Sequence, residues 1–290
     1  MSDVFNGVDL SAYADDAQQG DGYTRIQWVN GDPKTFGTAA KQRKIDGVPG
    51  HLFIAADRLP DGFTPLEPWI EWTESFRSGD VEGYRADRVG VIIIAARQQP
   101  YAQQGDTKHW LDRWDRNVAG IRMHADIMMI VDGLEPLGPV VLSTNSTLVS
   151  LAFTASARGG KAGIISKIQS ELVDPANKVA KRVRLHTAAF RVEIGGEVDA
   201  KGQPVFSATQ GAPVTRPTLY LPAASTDAEK VKRAAQLFVG MEPLNNDVIP
   251  ALEASLEWRK FRYGNDVPEV EIVQAQTPRN APQPVEDIPW

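Results

Sequence analysis

A β-rich α+β fold, strands first and helices toward the C-terminus, is what this sequence predicts. Three observations carry it. Short alternating or wholly apolar runs, bounded by Gly, Pro, Asn and Asp, recur from Tyr23 to about Ala208. The run Val89–Ala96 (VGVIIIAA) is rich in β-branched residues and continuously apolar, as a core strand covered on both faces requires. A clear helix start comes near Thr226, where Glu229 three residues later completes a capping box.

In chain order, residues 1–22 are polar, small and acidic and read as a flexible N-terminal arm. Thr24–Val29 alternates as a strand does, and Asn30-Gly31-Asp32-Pro33 turns the chain. His51–Ala55 is a second strand. Trp69–Phe76 mixes aromatic with acidic residues; Glu67, Glu71 and Glu74 at i, i+4, i+7 suggest an acidic helix face. Residues 81–96 give two strands and 97–107 a loop. In Lys108–Asn117, Trp110 and Trp114 share one face of an expected helix. Further strands are expected at Ile127–Val131 and Val140–Leu142, while Ser143–Ser156 is open between strand and helix. Val183–Ile194 and Val205–Ala208 read as parts of a meander. The helix from Thr226 carries an apolar stripe of Val231, Ala234, Ala235 and Phe238 and stops at Gly240; a second runs from about Pro250 to Tyr263. A last short run, Val270–Val273, precedes the tail. The expected organisation is an arm (1–22), one globular domain (23–274) and a disordered tail (275–290).

Composition narrows the function. A net charge of −6 argues against a uniformly basic binder and leaves room for a local patch. The absence of cysteine excludes disulfides and thiolate metal sites. The first residues lack the basic and apolar regions of a secretory signal, and Val89–Ala96 is too short to cross a bilayer. The expectation is a soluble, cytoplasmic protein without a membrane partner.

Catalytic patterns are weak. Arg158-Gly159-Gly160-Lys161-Ala162-Gly163 lacks phosphate-loop spacing and has Ala162 where a magnesium-binding hydroxyl belongs. His51, His109, His124 and His186 have no metal-ligand spacing. Glu197, Asp199 and Lys201 would suit a metal-dependent nuclease but fall on an expected hairpin turn. No nucleophile elbow is present. No enzyme activity, cofactor or metal is expected.

The local charge balance inverts between Arg158 and Arg191. Arg158, Lys161, Lys167, Lys178, Lys181, Arg182, Arg184 and Arg191 face only Glu171 and Asp174. Binding single strands needs cations along the phosphates and aromatic faces for the bases, each stack contributing about 1–3 kcal/mol. Phe190 lies beside Arg191, and Trp28 precedes Lys34 and Phe36. The candidate groove is therefore Trp28, Lys34, Phe36, Arg158, Lys161, Lys167, Lys181, Arg182, Arg184, Phe190 and Arg191, with core packing and a solvated face as the competing readings. Trp110, Trp114, Trp258 and Phe261 are weighed in the same way and favour the core.

The last residues, PRNAPQPVEDIPW, carry prolines at 278, 282, 284 and 289 that forbid a helix or a central strand. Glu286, Asp287, Ile288, Pro289 and Trp290 then put two charges and apolar bulk at the terminus. This tip resembles that of bacterial and phage single-stranded-DNA-binding proteins, in which acidic residues precede Ile-Pro-Phe; here Trp290 replaces the final Phe. The resemblance covers the last five residues. It implies an OB-fold-like barrel core with added helices, single-stranded DNA as ligand, and replication, recombination and repair proteins docking on Glu286–Trp290. It also implies a nucleoid-associated location, or the host cytoplasm if phage-encoded, and a homo-oligomer is compatible with it. The alternatives are a phage or plasmid assembly protein whose tail docks on another subunit, and the metal-dependent nuclease.

Overall fold

The structure, a computed structural model, describes residues 22–33, 47–76, 79–105, 107–144, 147–155, 162–180, 184–209 and 212–263. Its strands are β1 Arg25–Val29, β2 Asp32–Pro33, β3 Gly47–Val48, β4 His51–Ala55, β5 Ile70–Phe76, β6 Gly79–Ala86 and β7 Arg88–Gln104. They continue with β8 Thr107–Trp110, β9 Ile121–Val131, β10 Val140–Thr144, β11 Val192–Gly196, β12 Phe206–Thr209, β13 Ala212–Thr215 and β14 Pro217–Tyr220. The helices are α1 Thr147–Thr154, α2 Ile164–Ile168, α3 Asp174–Val179, α4 Asp227–Leu237, α5 Met241–Pro243 and α6 Ile249–Trp258. Wider π turns at Gln169–Val173 and Leu244–Val248 join α2 to α3 and α5 to α6. No helix among the described residues is long and apolar enough to cross a membrane.

One sheet of ten strands organises the molecule, in the order β14-β11-β7-β9-β10-β1-β4-β6-β5, with β8 also on β7. Its neighbours are antiparallel except for β1 and β10. The sheet is strongly curled and open, a half-barrel with helices added. The β-rich, barrel-like expectation holds at this level.

Strand alternation sorts the side chains between two faces. On the first, Ile26, Leu52, Ile54, Val91, Ile127, Met129 and Leu142 pack with Val149 and Phe153 of α1, Ile164 and Ile168 of α2, and Ala234 of α4. On the second, Ile94, Met128 and Val141 pack with Val248, Ala251 and Trp258. Residues 91–95 are all buried, so the apolar run in β7 is covered on both faces. Each fully buried Leu, Ile or Phe contributes about 1.5–3 kcal/mol.

A bulge in β7 decides what the second face contains. Val91 and Ile93 pair with Val131 and Met129; after the shift between Ile93 and Ala95, Arg97 pairs with Asp126 and Gln99 with His124. The extra residue inverts the alternation. Arg97, Gln99 and Tyr101 therefore leave the apolar first face and join Asp126 on the second.

Several local expectations are corrected. Lys108–Trp110 is strand β8, because Tyr101 and Trp110 pair across a hairpin with β7. Glu71 and Glu74 lie in strand β5 paired to β6, so they form no helix face. Most of the supposed loop 97–107 continues β7 to Gln104. In the stretch read as a strand from Val183, a short helical turn occupies Thr187–Ala189, Phe190 bridges to Phe238, and pairing within the sheet begins at Val192. The open segment after Ser143 becomes helical from Thr147. The capping box is present: Glu229 N–H donates to Thr226 Oγ1 at 3.2 Å, and Thr226 N–H to Glu229 Oε2 at 3.0 Å.

Candidate nucleic-acid interface

Two cavities flank the edge strand β14. One, of about 660 Å³, is lined by Arg88, Asp132, Arg191, Glu193, Tyr220 and Phe238 among others. Arg191 is 58% exposed and bonds to the Asp132 carboxylate. Arg88 bonds to Glu193, and its guanidinium lies 4.2 Å above the Tyr220 ring. Gly90 makes room for this arrangement, since a Cβ there would collide with Asp132 Oδ2. Burial pushes the Asp132 carboxyl above its ordinary range; Arg191 opposes this, while Glu135 and Glu193 reinforce it.

The second cavity, of about 250 Å³, includes Lys167, Glu197, Arg216 and Thr218 in its lining. Thr218 and Tyr220 pair with Gly195 and Glu193 and, two residues apart, point to the same side of the sheet. Lys167 and Arg216 thus mark one end of this edge and Arg88 and Arg191 the other. Of the predicted cations, Lys167 on α2 is exposed at the second cavity with Glu197 nearby, and Arg191, just before β11, is exposed at the first with Glu193 and Asp132. Arg184 is also exposed, next to Leu185, whose backbone N–H donates to Asn177 Oδ1 at 2.8 Å.

Two of the three predicted aromatic faces, Trp28 and Phe190, are corrected. Trp28 is 9% exposed, and its indole N–H donates to the Thr215 carbonyl at 3.0 Å. It shares the first face with Ile26 because the two are separated by one strand repeat. Phe190 is 1% exposed and meets Phe238 edge-on, with ring centroids 6.5 Å apart. Neither ring presents a face to a base. Lys34, Phe36, Arg158, Lys161, Lys181, Arg182 and the tip Glu286–Trp290 lie outside the described residues.

Of Glu197, Asp199 and Lys201, the last two lie on a turn, while the Glu197 N–H donates to the Arg216 carbonyl at 2.9 Å. Asp199 Oδ1 accepts from the backbone N–H groups of Lys201 and Gln203 at 2.8 and 3.0 Å, and those bonds hold its carboxyl below the ordinary range. Among the described residues no three His, Cys, Asp or Glu side chains converge as a metal site.

Sequence reasoning missed the polar centre of the second face. Asp126 is 0% exposed. Its Oδ1 accepts from Arg25 at 3.1 Å and Ser143 at 2.7 Å and lies 3.0 Å from His124 Nε2. Its Oδ2 accepts from Arg97 Nε at 2.9 Å and from the Tyr263 hydroxyl at 2.6 Å. Burial alone would raise this carboxyl; His124, Arg25 and Arg97 outweigh it and hold the group far below the ordinary carboxylate range. Burial and the Asp126 charge push the Tyr263 phenol up.

The same cluster fastens the chain just before residue 264. The Gln99 amide accepts from Tyr263 N–H at 2.8 Å and donates to Tyr263 O at 3.0 Å. Trp110 stacks on Tyr263 at 4.3 Å and 17°. Arg97 lies 4.2 Å from the centre of the Trp258 ring and donates to the Trp258 carbonyl. The available signal was a carboxylate inside the apolar run Ala125–Val131, a position tolerable only with charged partners.

Farther along this face, His51 is buried and its Nε2 lies 3.0 Å from Glu74 Oε2, which also accepts from Trp72 Nε1 at 2.9 Å. The fold and these sites define a curled β-sheet protein with a mixed-charge edge groove and a buried charge cluster. Compared with protein-family models, with curated proteins and with solved structures, the chain matches none of them.

Proposed function

We propose that this protein binds single-stranded DNA without catalysing its conversion, protects it, and recruits replication, recombination and repair proteins through Glu286–Trp290. The observation that carries the reading is the acidic, aromatic-ended tip. An OB-type barrel elaborated by additional strands is the form of core this function implies. The cations beside β14 support a path for phosphates: exposed Lys167 and half-buried Arg216 at one end, exposed Arg88 and Arg191 at the other. Tyr220, beneath Arg88, takes the stacking role that the buried Trp28 and Phe190 cannot fill. Phosphates would exchange with Asp132 and Glu193 as partners of the two arginines.

The test is a fluorescence-anisotropy titration of labelled oligo-dT and a matching duplex at low and moderate salt. Salt-sensitive binding that prefers the single strand is expected. Lys167→Glu with Arg216→Glu should weaken it and lower the salt slope by about one for each phosphate that is no longer neutralised. No single-strand binding at low salt rules the reading out. The burial of Trp28 and Phe190 favours the second reading, an assembly protein whose tail docks on another subunit, and that outcome would select it.

A further inference from the structure

We propose that two copies of this chain pair through the outer edge of β5, antiparallel and with Thr73 on the two-fold axis. The inference stands independently of nucleic-acid binding. β5 ends the sheet order, and among the described residues no strand lies beyond it. It is seven residues long, with Ile70 54% exposed. An edge of that length is a template for another strand.

The main chain fixes which residues can bond outward. Val141 N–H donates to Thr24 O, so the even-numbered groups of β1 point toward β10 and the odd-numbered ones toward β4. Gln27 pairs with Phe53, Leu52 with Ala86, and Trp72 with Gly83. Carrying the alternation across these pairs turns the even-numbered groups of β5 toward β6. Glu71, Thr73 and Ser75 are left with N–H and C=O directed outward.

A symmetric antiparallel pair must place such outward residues opposite one another, which allows an axis at any residue from 71 to 75. At Trp72 only Ile70–Glu74 pair and Ile70 faces Glu74, and at Glu74 the two copies of that carboxylate oppose each other. An axis at Glu71 sets that carboxylate against its own copy, which is destabilising. An axis at Ser75 overlaps only the end of the strand. With the axis at Thr73 all seven residues pair. Glu71 then faces Ser75 of the second copy, Trp72 faces Glu74, and Ile70 faces Phe76. No like charges stand directly opposite, and apolar meets apolar at both ends. The Trp72–Glu74 pairing repeats between copies the partnership that the indole N–H and the carboxylate already make within one. This self-complementarity identifies the occupant as a second copy.

Sedimentation velocity on the full chain over a concentration series should show a monomer passing to a dimer. Thr73→Pro removes an N–H that makes no bond within the sheet, at an edge where proline is tolerated. That variant should remain monomeric at every concentration, with a melting temperature close to that of the parent. The chain has no cysteine, so Thr73→Cys supplies a unique thiol. Across a hydrogen-bonded pair the Cα atoms lie about 5.5 Å apart, within the disulfide range. Mild oxidation should therefore cross-link Thr73→Cys into a covalent dimer and leave the exposed control Ser170→Cys monomeric. A parent that stays monomeric throughout overturns the proposal, as does a dimer in which Thr73→Cys links no faster than the control. If Thr73→Pro fails to fold, the cysteine comparison decides alone.

Discussion

At Asp126, two guanidiniums, a histidine and two hydroxyls converge on one buried carboxylate. Such a cluster contributes little by existing and a great deal by remaining complete, because loss of one partner strands the others without solvent. Asp126→Asn leaves Arg25 and Arg97 without their counter-charge and should destabilise the protein by about 3–5 kcal/mol in denaturant unfolding. Tyr263→Phe keeps the stack on Trp110 and removes one bond to a charged acceptor, at a cost of about 1.5–3 kcal/mol. A ranking with Tyr263→Phe the more damaging would contradict the central role given to the carboxylate. The pH dependence has a definite sign. The folded carboxyl sits below its ordinary value of 3.8, so its stabilisation is complete above that pH and fades as the pH falls further. Glu74, also lowered, acts in the same direction from 4.5 downward. Asp126→Asn should flatten the acid limb of a stability–pH profile.

Among the elements, β7 and α4 show different degrees of legibility. The α4 start was readable because a capping box is local: Thr226 and Glu229 satisfy each other's backbone neighbours whatever the rest of the chain does. Thr226→Ala should cost about 1 kcal/mol in thermal unfolding. The apolar half of β7 was readable from its β-branched run, whereas its extension to Gln104 was not. Residues 97–104 are mostly polar and include Pro100, and they form a strand because β8 and β9 pair with them. Trp110 and Trp114 have helical spacing, but the hairpin with Tyr101 and the stack on Tyr263 draw Trp110 into β8. Glu71 and Glu74 likewise have helical spacing within a strand, since pairing with β6 outweighs a weak local preference.

For the whole molecule, the long-range electrostatics concern an acidic chain with cations gathered at one sheet edge. On the proposed function, an acidic tip on the same molecule would compete with DNA for those cations. Deleting residues 279–290 should tighten single-strand binding at low salt, with the difference shrinking as salt screens the competition. Unchanged affinity in anisotropy titrations at every salt concentration would dismiss the competition.

By itself the sequence determined the β-rich class, the core run Val89–Ala96, the helix beginning at Thr226 and the exposed cations Lys167 and Arg191. These follow from composition, alternation and capping, which act over a few residues. Tertiary structure alone decided that Trp28 and Phe190 are core residues, because an aromatic ring packs or stacks according to what covers it. It also decided that Asp126 meets Arg25, Arg97 and Tyr263. Those partners lie 101, 29 and 137 residues away in the chain. They converge because a single bulge reverses the faces of β7 and because the chain after α6 returns to the sheet. No local pattern encodes either event: strand parity and loop return are settled by the pairing of the whole sheet.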